Sequence, residues 1–277
     1  MQNYCKTIGA LAAVSALVAG NALAGPTQST AVIQTTPEVD SGIVYDLHAG
    51  YTNEYLFRGI SLGTGLVEAG ADVSGEAFGL GLSAGVWYAN YDTALYGAKN
   101  SNFDTNVNEI DLYAEVSKDF GFLTAAVGYI YYYNDTDSAT ETVSGPSGFD
   151  ALNGGRLADA QEVYFSLSRD LGFATASLTY FWDIVFDNGG YSEFALSRSL
   201  ELTSCLGLNL ATNVGYLAEH GQATAWTTKV GIDWAFTEHA KLSPFAAYSV
   251  SLSDDNDTAY FGNQNEFVAG SMISVSF

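Results

Sequence analysis

The sequence predicts an all-β chain, a transmembrane antiparallel up-and-down β-barrel of about twelve strands, and three observations carry that prediction. The first is period two: segments of about ten residues alternate apolar with small or polar side chains from residue 43 to the end. The second concerns helices. Past residue 24 no apolar run approaches the roughly 20 residues of a spanning helix, so membrane insertion requires a closed sheet. The third is the C-terminal stretch, where Phe267, Ala269, Ser271, Ile273, Val275 and Phe277 share one face and the chain stops on an aromatic. That is a closing strand rather than a frayed tail. A terminal Phe277 on a dyad-repeat strand is expected to engage the barrel-assembly machinery of a bacterial outer membrane.

The N-terminus agrees with that compartment. Lys6 precedes an apolar run from Ile8 to Val18, and Ala22-Leu23-Ala24 is a small-residue cleavage pattern before Gly25, so residues 1–24 read as a signal peptide. Residues 25–42 then form a periplasmic lead-in, of which Gly25 to Asp40 could instead be a partial plug, and 43–277 form the barrel, with no proline-rich or serine-rich linker to divide it. Cys5 is removed with the leader, and Cys205, left alone, offers neither a disulfide nor a cysteine-based metal site. Loss of Lys6 leaves 31 acids against 8 bases, a net charge of −23. Such a field excludes nucleic acid as a partner and draws cations. A hydrophobic content of 48%, with 18 Tyr and 16 Phe, excludes a disordered acidic chain.

In order, the alternation marks strands at Ile43 to Ile60, Thr64 to Ser74, Ala77 to Trp87, Val107 to Ser117, Gly121 to Tyr133 and Gln161 to Ser168. It continues at Gly172 to Asp183, Tyr191 to Leu200, Cys205 to Tyr216, Ala223 to Phe236, Ala240 to Leu252 and Glu266 to Phe277. Connections alternate between short and long, as periplasmic turns and external loops do. Short ones are Gly75-Glu76, Lys118 to Phe120, Arg169 to Leu171, Glu201 to Ser204 and Thr237 to His239; long ones are Tyr88 to Asn106, Asn134 to Ala160 and Ser253 to Asn265. Lys118-Asp119-Phe120-Gly121-Phe122 and Arg169-Asp170-Leu171-Gly172-Phe173 resemble each other, which predicts repeated hairpins.

Parity separates the faces. Leu123, Ala125, Val127, Tyr129 and Tyr131 on strand five, Leu206, Leu208, Leu210, Val214 and Tyr216 on nine, and Trp226, Val230, Ile232, Trp234 and Phe236 on ten form lipid-facing bands. The opposite parity holds Asp46, His48, Glu54, Arg58, Glu68, Asp72, Glu109, Asp111 and Glu115 on the first four strands. Glu162, Asp183, Glu193, Lys229, Asp233 and Glu266 continue the set. An acidic wall of this kind favours cations and opposes anions. Within it Arg58 is expected to pair with Glu54 or Glu68 and to hold strand register, the alternative being contact with the solute.

The residues Tyr51-Thr52-Asn53-Glu54-Tyr55-Leu56-Phe57-Arg58-Gly59-Ile60-Ser61, followed by Gly85-Val86-Trp87-Tyr88-Ala89-Asn90, resemble the TorF-type porin family, also described as the Gcw conserved hypothetical family. The likeness is strongest over Val44 to Asp92. It implies an outer-membrane barrel and passive solute passage, and it brings no catalytic residue or substrate.

Catalysis is not expected. His48 faces the interior beside Asp46, His220 follows Glu219 in an external loop and His239 lies in a periplasmic turn, so no histidine has a nucleophile and an orienting acid assembled around it. Asp254-Asp255-Asn256-Asp257 and Asp135-Thr136-Asp137 offer hard oxygen ligands but lack the Gly and Glu spacing of a calcium loop. No metal site or cofactor is expected. The expected function is a narrow, cation-favouring passive channel for small hydrophilic solutes in outer-membrane lipid; the alternative is a non-conducting structural or adhesion barrel that displays acidic external loops. Oligomeric state is not legible.

Overall fold

The computed structural model describes residues 42–94, 104–136, 159–185, 190–218, 221–252 and 264–277. The expected signal peptide, most of the expected lead-in, Asp137, Glu219, His220, and Asp254 to Asp257 lie outside the described residues. Twelve strands follow one another: β1 Ile43–Phe57, β2 Ile60–Ala77, β3 Leu80–Ala94, β4 Asp104–Asp119, β5 Thr124–Thr136 and β6 Ala160–Asp170. The second half comprises β7 Thr175–Asp183, β8 Tyr191–Thr203, β9 Leu206–Leu217, β10 Gln222–Ala235, β11 Ala240–Ser251 and β12 Glu266–Ser276. Each pairs antiparallel with its sequence neighbours, and β1 pairs with β12 to close the barrel. Strands of 9 to 18 residues are long enough for a tilted crossing, which takes about nine to eleven.

Closure depends on the last residues. Tyr45 N–H donates to Phe277 O at 2.9 Å, Phe277 N–H donates back to Tyr45 O at 3.0 Å, and the two rings lie 6.4 Å apart. The terminal aromatic is therefore part of the seam. The outer face carries the predicted bands: Val127, Tyr129, Leu210, Val214, Trp226, Val230 and Trp234 are all exposed. A continuous apolar coat around a closed sheet suits lipid, since no strand edge is left to satisfy.

Several turns lie elsewhere than predicted. The β2–β3 turn is Phe78-Gly79, not Gly75-Glu76, because β2 continues to Ala77 and both turn residues take positive φ, 58° and 69°. A primed two-residue turn of this kind matches the twist of its strands. β3 runs on to Ala94 and β4 starts at Asp104, so much of the connection predicted from Tyr88 to Asn106 is strand. The repeat held: Gly121 N–H donates to Asp119 Oδ1 at 2.6 Å, and Gly172 N–H donates to Asp170 Oδ1 at 2.7 Å. In both hairpins an Asp caps a glycine at positive φ.

The largest difference is at the end of β1, which was predicted to reach Ile60. It stops at Phe57, and Arg58 and Gly59, at φ 54° and 85°, turn the chain into β2. A register shift between Tyr55 and Leu56 breaks the alternation, so both side chains point inward and the hairpin tip bends into the barrel.

Candidate channel interior

Near the end where β1 begins and β12 ends, the interior is polar. Asp46, His48 and Asp72 meet there: His48 Nδ1 lies 3.5 Å from Asp46 Oδ1 and 3.4 Å from Asp72 Oδ2. Ser276 Oγ donates to Asp46 Oδ2 at 2.5 Å, and Tyr113 OH donates to Asp72 Oδ1. Among the described residues this is the grouping whose donors could hold a metal ion, with ligand atoms within 4.8 Å of one another. The imidazole already bridges both carboxylates, so the arrangement also stands without an ion. Asp233 faces Lys241, whose Nζ is 3.6 Å away, and Lys229 Nζ sits 4.0 Å from the centroid of the Phe245 ring.

Further in, carboxylates are interleaved with aromatics. Glu68 accepts from Trp87 Nε1 at 2.9 Å, Glu115 from Tyr164 OH at 2.8 Å, and Glu193 from Asn213 Nδ2 at 2.6 Å. Glu54 accepts from Ser61 Oγ, and Asp183 accepts from the Val185 amide at 2.8 Å. Glu109 and Asp111 are buried on β4; neither Asp111 oxygen, nor Glu109 Oε2, is in hydrogen-bond geometry with a partner. Many of these acids are buried rather than bathed by solvent.

The reason is the hairpin. Five consecutive residues of its tip each meet a different stretch of wall. Tyr55 packs edge-on against Tyr91 at 4.7 Å and against Trp87 at 5.9 Å. Leu56 joins Ala247 and Val268 on the opposite side. Phe57 meets Tyr132 at 6.3 Å, and Gly59 sits so close to Ala225 that an added Cβ would collide with it. Arg58 reaches β6, where Nη1 and Nη2 donate to Glu162 Oε1 and Oε2 at 2.8 Å and 2.6 Å. Its guanidinium carbon lies 4.6 Å from the ring centroid of Phe57, 4.5 Å from that of Phe181 and 4.7 Å from that of Tyr191. The expected partners of Arg58, Glu54 and Glu68, are therefore replaced by Glu162. Planar bidentate pairing favours this geometry, and it can be met only across the barrel.

Sequence reasoning assigned the aromatics to the outer girdle and missed the inner set. Tyr132, Tyr164, Phe181 and Tyr191 are buried inside. Their parity was available: Tyr164 alternates with Glu162, Phe181 with Asp183, and Tyr191 with Glu193.

An apolar outer coat, a closed sheet and an acid-rich inner face define a membrane-spanning β-barrel. The fold is similar to that of an outer membrane channel from Pseudomonas putida F1, with a TM-score of 0.51 and 12% identity, covering 87% of this chain and all of that one. More distant matches include the NanC porin, with a TM-score of 0.47 and 12% identity over 83% of this chain and 98% of that one. The KdgM porin matches with a TM-score of 0.45 and 9% identity over 84% and 99% of the two chains. At these identities the likeness concerns the fold. No protein-family model matches the sequence, and no curated protein does.

Proposed function

We propose that the protein is a bacterial outer-membrane channel for the passive passage of small hydrophilic solutes, that cations are favoured, and that the hairpin tip holds the described conformation closed. The observation that carries this reading is the set of acids inside an apolar-coated barrel, Asp46, Asp72, Glu68, Glu115, Glu162 and Glu193 among them. A barrel that only needed filling would do so with less cost using apolar side chains, because buried charges are expensive unless paired. A wall of one sign lowers the barrier for ions of the opposite sign. The proposal extends to a cleaved leader at residues 1–24, a periplasmic segment at 25–42, assembly through Phe277 and kinship with the TorF-type porins.

Single-channel recording of the refolded protein in a planar bilayer, with a potassium chloride gradient, tests it. Discrete openings with a cation-selective reversal potential are expected. Anion selectivity would overturn the role given to the acids, and a correctly inserted barrel that never conducts would overturn the channel itself. The second reading, a non-conducting structural barrel, is favoured by one observation: the tip of β1–β2 and the aromatic clusters fill the interior away from the start of β1 and the end of β12. It predicts silence even after the tip is released.

A further inference from the structure

We infer that the inner wall of β5 to β8 is a recognition site for a guanidinium or alkylammonium solute, and that Arg58 is its resident occupant. The argument begins with what belongs to the wall. Tyr132, Glu162, Phe181 and Tyr191 come from β5, β6, β7 and β8, whereas Arg58 and Phe57 come from the hairpin. The wall residues hold one another without Arg58. Tyr132 OH donates to Glu162 Oε2 at 3.0 Å, and Phe181 packs at 5.6 Å on Tyr164 and 6.1 Å on Tyr191. Withdrawal of the tip would therefore leave a carboxylate flanked by two ring faces, already oriented. A planar cation with paired N–H donors fits that set through a bidentate hydrogen bond and cation–π contacts. Preorganisation of this kind favours binding because little is left to order.

A second observation points the same way. Asp111 is fully buried, and neither of its oxygens is in hydrogen-bond geometry with a partner, while Glu109 Oε2 is in the same position. Asp111 pairs in register with Tyr132, whose hydroxyl reaches Glu162, so this acid adjoins the site. Arg58 pairs with Glu162 and leaves Asp111 uncontacted, so acceptor oxygens remain beside the site for the further N–H donors of a cationic guest. The tip competes intramolecularly with any such guest, so the apparent affinity of the wild type is reduced by the fraction of time the tip is seated.

The inference deepens the channel reading by naming a solute class, but its test does not depend on conduction. Calorimetry in detergent micelles compares n-butylguanidinium with its neutral analogue n-butylurea, on folded protein verified by heat-modifiable migration. Arg58→Gly removes the occupant and suits the positive φ of 54°. This variant should bind n-butylguanidinium at least about tenfold more tightly than the wild type does, and n-butylurea should not bind. Adding Glu162→Gln should abolish the gain. Equal binding of the two probes, or a gain that survives Glu162→Gln, would overturn the inference. Should Arg58→Gly fail to fold, Gly59→Ala provides a second route, since its Cβ would run into Ala225 and unseat the tip with Arg58 intact. It should raise affinity for n-butylguanidinium in the same sense, and unchanged affinity would count against the site. Binding without conductance would retain the site and reject the channel; conductance without binding would do the reverse.

Discussion

Replacing Glu162 by Ala should unseat the β1–β2 tip, and the structure allows the effect to be sized. The substitution removes both charge-assisted hydrogen bonds from Arg58 and the acceptor of Tyr132. It leaves a buried guanidinium without a counter-charge, a defect that costs about 3–5 kcal/mol in comparable buried pairs. What remains to hold Arg58 to the wall is its contact with the rings of Phe181 and Tyr191, each worth about 0.5–2 kcal/mol. The rings persist in the variant, so they do not offset the new loss. Because every 1.4 kcal/mol is about tenfold, the seated population should fall relative to the open one by roughly two to three and a half orders of magnitude. Two assays report on this. Amide hydrogen exchange at Leu56 to Ser61 should accelerate, and single-channel recordings should show more frequent or larger openings. Phe181→Leu, which removes one ring and keeps the ion pair, should produce a smaller change in the same direction. Wild-type exchange and wild-type conductance in Glu162→Ala would refute the claim that this ion pair holds the tip.

The remaining predictions concern the shell and the wall. Leu112, exposed near the middle of β4, should tolerate charge poorly: Leu112→Arg is expected to lower stability in lipid by about 2–4 kcal/mol, read from urea titration of vesicle-inserted protein. Deleting Phe277 removes both backbone hydrogen bonds to Tyr45 at the seam and should slow barrel assembly, measured as the rate of appearance of the heat-modifiable band. Neutralising Asp46 and Asp72 together, as Asp46→Asn with Asp72→Asn, should shift the reversal potential toward zero selectivity, whereas an unchanged potential would take these acids out of the selectivity argument.

Much of the shell was legible because it depends on period two. Glu109, Asp111 and Glu115 share a face with Tyr113 by counting alone, and no tertiary knowledge is needed to place Leu112 opposite them. The turns were less legible. Phe78 is fully exposed in a turn at positive φ, against the usual preference for Gly, Asn or Asp there, so composition pointed to Gly75-Glu76 instead. The hairpin tip was hidden for a different reason. Arg58 and Glu162 are 104 residues apart, and a period carries no information about a contact across the barrel. Tyr55-Leu56-Phe57 places three large apolar side chains in succession, but Tyr180-Phe181-Trp182 does the same in β7 with an unbroken register, so the run alone does not announce the bulge.

The run Tyr55-Leu56-Phe57 explains why the tip enters the barrel. A circle of twelve strands is wider than an eight-stranded barrel, whose side chains just fill it, and narrower than the sixteen-stranded porins that enclose an aqueous channel. At this width the inner side chains leave a gap, and a two-residue turn flanked by Tyr55, Leu56 and Phe57 has the apolar surface to occupy it. Burying the tip also carries in a guanidinium, which is tolerable only where a carboxylate meets it in good geometry. Glu162 supplies that carboxylate, and Tyr132 keeps it in place. The same requirement makes the closure conditional. The apolar contacts of Tyr55 and Leu56 draw the tip inward, but a buried Arg58 stays there only while Glu162 pairs it, so a competing cation acts on the one contact that the rest of the plug does not replace.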